Sequence, residues 1–207
     1  MPLTRLRRFV SEPMRRVELE ARAMRPWRRL RFHEFGEGAI LHRPLWVYGP
    51  QQIAIGANAL ILHGCWLSVE TPAWGKPPPV LRIGDRVGIR PHCSLSAADG
   101  IVLEDDVVLS AYSTVIDSDH TFRHGNPNVM HNPLDPAPVR VGRGTWIGER
   151  AAILKGAQIG ECCIIGANSV VRDAIPPYSV AVGAPARVVG EVEGVDGRAE
   201  PVRAKLY

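Results

Sequence analysis

The stretch VGRGTWIGERAAILKGAQIGECCIIGANSVV, residues 141–171, decides the fold. Val141, Ile147, Ile153, Ile159, Ile165 and Val171 fall at intervals of six. Gly follows four of them, at 142, 148, 160 and 166, and small or β-branched residues stand four places on: Thr145, Ala151, Ala157, Cys163 and Ser169. A period of six fits neither the 3.6 of a helix nor the alternation of a half-buried strand. It fits a coil of short flat strands with tight corners. Each six-residue unit is one side, and its aliphatic residue points inward.

The same step recurs upstream as Ile55, Ile61, Leu67, then Ile83, Ile89, Leu95, then Leu103, Leu109, Val115. Three sides make a coil of eighteen, and the interruptions fall after Thr71-Pro72, after Gly100 and at residues 116–139. Stacked coils pair edge to edge at roughly 4.8 Å, so strand edges stay open only at the two ends. Such a solenoid is stable because neighbouring coils bury one another's faces. Cys65, Cys93 and Cys163 occupy the small corner position, which predicts a packing role; Cys162 is assigned none.

The composition agrees. Of 207 residues 45% are apolar but only 6% aromatic, so the core is predicted to be Ile, Leu, Val and Ala. Net charge is +4, yet residues 1–31 hold ten Arg and three Glu, or +7, leaving −3 for the remainder. The basic pI therefore reports the N-terminal segment. No apolar run is long enough to span a bilayer, and no signal-peptide pattern is visible. The cysteines show no disulfide framework, so a reducing, cytoplasmic setting is expected.

The rhythm stops at IDSDHTFRHGNPNVMHNPLDPAPV, residues 116–139, which holds three of the seven histidines, three aspartates and four prolines. The repeats, and above all VRVGRGTWIGERAAILKGAQIGECCIIGANSVVRDAIPPYSVAVGAPARVVG (139–190), resemble the hexapeptide-repeat acyltransferases. These are left-handed parallel β-helix proteins, and the match is to the subgroup acetylating galactosides, maltose, antibiotics and colanic-acid-type polysaccharide sugars. The resemblance covers about residues 36–190. It implies an all-β left-handed parallel β-helix, a homotrimer, and an active site in each cleft between neighbouring helices. The handedness comes from the resemblance alone, since it runs against the usual crossover preference. The expected organisation is an Arg-rich helical segment (1–35), the repeat domain (36–190) with its loop 116–139, and a polar tail (191–207).

In that subgroup a histidine stands where a loop leaves the prism, and His120 falls there. A neutral imidazole can take the proton of a sugar hydroxyl as its oxygen attacks a thioester, then return it to the departing thiolate. His120 is thus the expected general base and acetyl-CoA the expected co-substrate, with no metal. Asp117, Ser118 or Asp119 could orient the ring or bind an acceptor hydroxyl. His124 and His131 read as surface residues.

For coenzyme A the resemblance implies Trp146 near the thioester. It also implies backbone at Gly148-Glu149 and Ala167 on the pantetheine arm, and Arg172 and Arg187 at phosphate or adenine. Arg suits phosphate because its planar fork donates two bonds at once. Asp173 departs from the basic residue usual after the position of Arg172. For the acceptor, Arg90, His92 and Asp99 are candidates, and residues 73–79 (AWGKPPP) could shape the pocket. Arg90 stands where the sugar acetyltransferases carry an asparagine, which points to an acceptor bearing carboxylate or phosphate, or to an ion pair with Asp99 or another acid.

Leu3, Leu6, Val10, Met14, Val17, Ala21 and Met24 form an amphipathic helical stripe, with Ser11 as cap, Pro13 in the first turn and Pro26 ending the pattern. Two readings stand: a helix packed on its own trimer, or a basic helix on an anionic membrane. Nucleic acid is disfavoured, since no aromatic-interleaved basic face is present. The expected activity is O-acetylation of a sugar or polysaccharide unit. The alternatives are N-acetylation of an amino sugar or antibiotic, a β-helix carbonic-anhydrase-like zinc enzyme using His63, His92, His120 and His124, or a non-catalytic scaffold.

Overall fold

All fifteen aliphatic positions of the six-residue series are at most 1% exposed. In the computed structural model, which describes residues 13–70, 77–122 and 126–192, they form three inward columns. Two six-stranded sheets and one eight-stranded sheet make the sides of the prism. On the first face Ile55, Ile83, Leu103, Val141 and Ile159 lie in parallel register. Ile61, Ile89, Leu109, Ile147 and Ile165 line the second. Leu67, Leu95, Val115, Ile153 and Val171 line the third. The chain is a left-handed parallel β-helix. Each buried aliphatic side chain contributes about 1.5–3 kcal/mol relative to exposure.

The prism begins one coil earlier than the count from Ile55. Phe35, Leu41 and Val47 pair with Ile55, Ile61 and Leu67. They keep the step of six, but the column opens with an aromatic residue. Phe32 joins Phe35 edge to face at 5.6 Å and closes the core at that end.

The glycines following the aliphatic positions serve close approach between coils. A Cβ at Gly142 would sit 2.5 Å from the backbone of Gly160 and Glu161, and one at Gly148 only 2.5 Å from the nitrogen of Ala167. The left-handed backbone falls elsewhere, three places after the inward residue, where His92, Tyr112, Arg150 and Asn168 all have positive φ. Between these corners Cys65, Cys93 and Cys163 are buried and free, with thiols directed at the carbonyls of Arg90 (3.3 Å), Ser110 (3.1 Å) and Pro176 (3.0 Å). This is the environment of a packing residue.

Both open ends are covered. At the last coil, Ser179–Gly183 pairs antiparallel with Ala186–Glu191. At the first coil lies helix α1, Pro13–Arg31. Its course corrects the expected stop at Pro26, since the helix runs on to Arg31. Pro26 is exposed and leaves one carbonyl without its helical partner. Beyond it the helix is held by Arg28 over the Phe35 ring at 6.0 Å and by the amide of Phe32 donating to the Arg28 carbonyl at 3.0 Å. Leu3, Leu6, Val10, Ser11, Thr71, residues 73–76 of the proline-rich loop, His124 and the tail from 193 lie outside the described residues.

Candidate active site

The interrupting loop leaves the third face after Thr114–Ile116 and returns to the first at Val139–Val141. It opens as an antiparallel hairpin of Ser118–His120 against Leu134–Pro136. Asp119 and Asp135 lie directly opposite one another in this hairpin, a like-charge pair. Lys155, from the next coil, resolves the conflict: its ammonium lies 2.7 Å from Asp135 and 3.1 Å from Asp119. The two carboxylates, Asp135 first, raise the pKa of Lys155 above the ordinary lysine value.

His120 is half-buried, and its Nδ1 is 3.0 Å from the main-chain carbonyl oxygen of Asn132. A carbonyl only accepts, so Nδ1 carries the hydrogen and a neutral ring keeps Nε2 as its acceptor. The carbonyl is itself fixed. The buried Asn132 side chain accepts from the amide of Asn126 at 2.6 Å and donates to its carbonyl at 3.0 Å. Nothing in the sequence singled out Asn132; an asparagine repeated in a polar loop was its only signal. His120 opens onto a recess of about 410 Å³ with Asp119, Thr121, Phe122, Asp135 and Lys155.

Asn132→Ala is expected to lower turnover about 10²-fold through a misplaced ring, leaving the coil intact. A pH–rate profile checks it, because a purely structural loop residue would lower the rate without altering the profile.

Two predicted contacts are corrected here. Asp117 is fully buried, and its carboxylate accepts from the amides of Ala98 (2.7 Å), Asp99 (2.8 Å) and Gly100 (2.7 Å). It fixes a turn. Gly148 is also buried. Its N–H goes to Ile165 at 2.8 Å, and its carbonyl accepts from Ser113 at 3.0 Å and Ala151 at 3.2 Å. Its main chain is committed to the coil, which leaves the neighbouring Glu149 and Ala167, both exposed, as the candidates on that corner.

The remaining candidates divide among three places. Asp99, Asp119 and His120 lie where the third face turns into the first. Trp146 stands on the second face, 51% exposed, its indole N–H donating to Ser110 at 2.8 Å. Arg90 adjoins Ser110 on that face, is exposed, and has no ion pair among the described residues. His92 follows at the corner, stacked on Tyr112 at 5.1 Å and edge-on to His63 at 5.4 Å. One chain therefore does not bring His63 and His92 together with His120. At the C-terminal end Asp173 draws the two predicted phosphate residues together, 3.7 Å from Arg172 and 3.6 Å from Arg187.

Residues 138–173 match the family model described as bacterial transferase hexapeptide, six repeats. They span the stretch in which every sixth residue is buried. Over this stretch the chain is similar to the hexapeptide-repeat transferases. The chain is 38% identical over 109 residues to a protein of Mycobacterium tuberculosis named as a probable acetyltransferase. That match takes in 53% of this chain and 36% of the relative, so the chain spans about a third of that relative's length. It is 29% identical over 142 residues to the galactoside O-acetyltransferase of Escherichia coli, covering 66% of this chain and 69% of that one. A crystal structure of a variant of AntD, an N-acyltransferase from Bacillus cereus, in complex with dTDP-4-amino-4,6-dideoxyglucose and coenzyme A, superimposes with a TM-score of 0.69 at 22% identity. It covers 81% of this chain and 88% of that one, and at this identity the likeness establishes the fold.

Proposed function

We propose that this protein is an acetyl-CoA-dependent transferase that moves an acetyl group to a hydroxyl of a sugar or polysaccharide unit, with His120 as general base. The observation that carries the reading is the pinned imidazole: Nδ1 is occupied by the Asn132 carbonyl, and Nε2 is left to accept a proton beside an open recess. In the reaction Nε2 takes the acceptor's hydroxyl proton as the oxygen bonds to the thioester carbon. The tetrahedral adduct collapses, the carbon–sulfur bond breaks, and the imidazolium protonates the leaving thiolate. The products are an acetyl ester and free coenzyme A, and the base ends as it began.

The division of candidates over two faces supports a site shared between chains, with His120 of one chain facing Trp146, Glu149 and Ala167 of its neighbour. A homotrimer is the arrangement proposed. The acceptor is proposed to carry an anionic group, because Arg90 presents an exposed guanidinium, without an ion pair among the described residues, beside Ser110 and Trp146.

Calorimetric titration with acetyl-CoA and coenzyme A tests the donor, since the reading requires saturable binding at one site per chain. Thiol release with hydroxyl and amine sugars then separates O- from N-transfer. Arg187→Ala is expected to weaken coenzyme A by about 10-fold, in the range for one charge-assisted contact. Dephospho-coenzyme A should bind the variant and the parent alike; an equal loss for both ligands would remove the phosphate contact.

A further inference from the structure

Helix α1 is turned the unexpected way. Glu20 and Arg28 face the prism: Glu20 holds Arg43 through two 2.9 Å bonds and lies 3.4 Å from His42, while Arg28 covers Phe35. Val17 is half-buried, but the other apolar side chains described on the helix are open to solvent. Leu19, Trp27 and Leu30 are 43%, 67% and 81% exposed, and with Ala23 they recur at the spacing of one helical face. A helix that packed on its own body for stability would show the reverse orientation. Arg29 and Arg31, both exposed, follow the stripe, in a segment whose sequence carries +7 against −3 for the rest of the chain.

We infer that this helix docks the protein on an anionic lipid surface. An exposed apolar stripe containing Trp, next to surplus arginine, matches the two layers of a membrane interface: acyl chains for the stripe and acidic headgroups for the cations. Among the described residues no helix is long and apolar enough to cross a membrane, so the helix lies in the interface plane. A second copy of the chain seated on the stripe is the competing occupant, and the light-scattering measurement below separates it. The attachment places the first coil toward the membrane, where a lipid-linked acceptor would be met.

The test is co-sedimentation of the full chain with vesicles of phosphatidylcholine alone and of phosphatidylcholine with phosphatidylglycerol. Binding is expected to the anionic vesicles only, and to fall as salt is raised. The double variant Trp27→Glu/Leu30→Glu should lose binding by at least about 10-fold, because charged groups cannot enter the acyl region. Its coenzyme A titration and its mass by light scattering should not change. Failure of the parent protein to bind anionic vesicles would overturn the inference, as would full binding by the double variant. A lowered mass in the variant would assign the stripe to a second copy. None of these outcomes depends on the acyltransferase reading, which is followed separately by the titration.

Discussion

His120→Ala is expected to lower turnover by about 10²- to 10⁴-fold, the usual worth of a positioned general base, while leaving coenzyme A affinity unchanged. The fold should survive. His120 is half-buried, and among the described residues its side chain bonds to the Asn132 carbonyl alone, so the stability lost is about 1 kcal/mol. His120→Asn refines the test. Its amide can still donate toward the Asn132 carbonyl and keep the hairpin closed, yet it has no basic nitrogen. If the asparagine variant is as slow as the alanine variant, the loss belongs to proton transfer. If it recovers most of the rate, the ring was holding the loop and the base lies elsewhere. Single-turnover thiol release with saturating acetyl-CoA makes the measurement, because it separates chemistry from product release.

The fold was legible because it repeats. A side chain that must point inward every six residues leaves a mark even where the aliphatic type changes, and all fifteen marked positions are buried. The first coil escaped because Phe35 replaces the aliphatic residue that opens the column. The corners were legible in composition but misread in cause. Glycine follows the inward residue to let the next coil approach, while the left-handed turn is taken three places on by residues as large as His92 and Tyr112. The loop was the least legible part. Once the period of six is broken, sequence no longer tells which of two neighbouring aspartates points in. Asp117 went to the interior and Asp119 to Lys155. Asn132 could not be found at all, since its main-chain oxygen, which any residue could supply, is what touches His120. Trp146 and His120 were both noticed, but only the faces of the prism reveal that they stand apart within one chain.

Asp117→Ala is expected to cost on the order of 3–5 kcal/mol, enough to threaten folding in a domain of ordinary stability. Its two carboxylate oxygens take three main-chain amides, at 98, 99 and 100, from the turn that follows the directly paired strand Ser94–Ala97. Removing the carboxylate strands those donors beside a cavity with no room for an equivalent set of acceptors. A buried donor left unmade costs about 1–3 kcal/mol, less where water can reach it, and Asp99 and Gly100 are partly exposed. The carbonyl of Asp117 also accepts from Ala137 at 2.8 Å, so the same residue ties both ends of the interrupting loop together. Asp117→Asn should fall between the two, because one carboxylate oxygen becomes an amide that faces a donor with a donor. Urea unfolding followed by circular dichroism reads the effect as a lower midpoint with an unchanged slope. A midpoint like that of the parent would mean the turn at 98–100 is held by the stacked coils alone. Asp117 would then return to consideration as a residue that meets the acceptor.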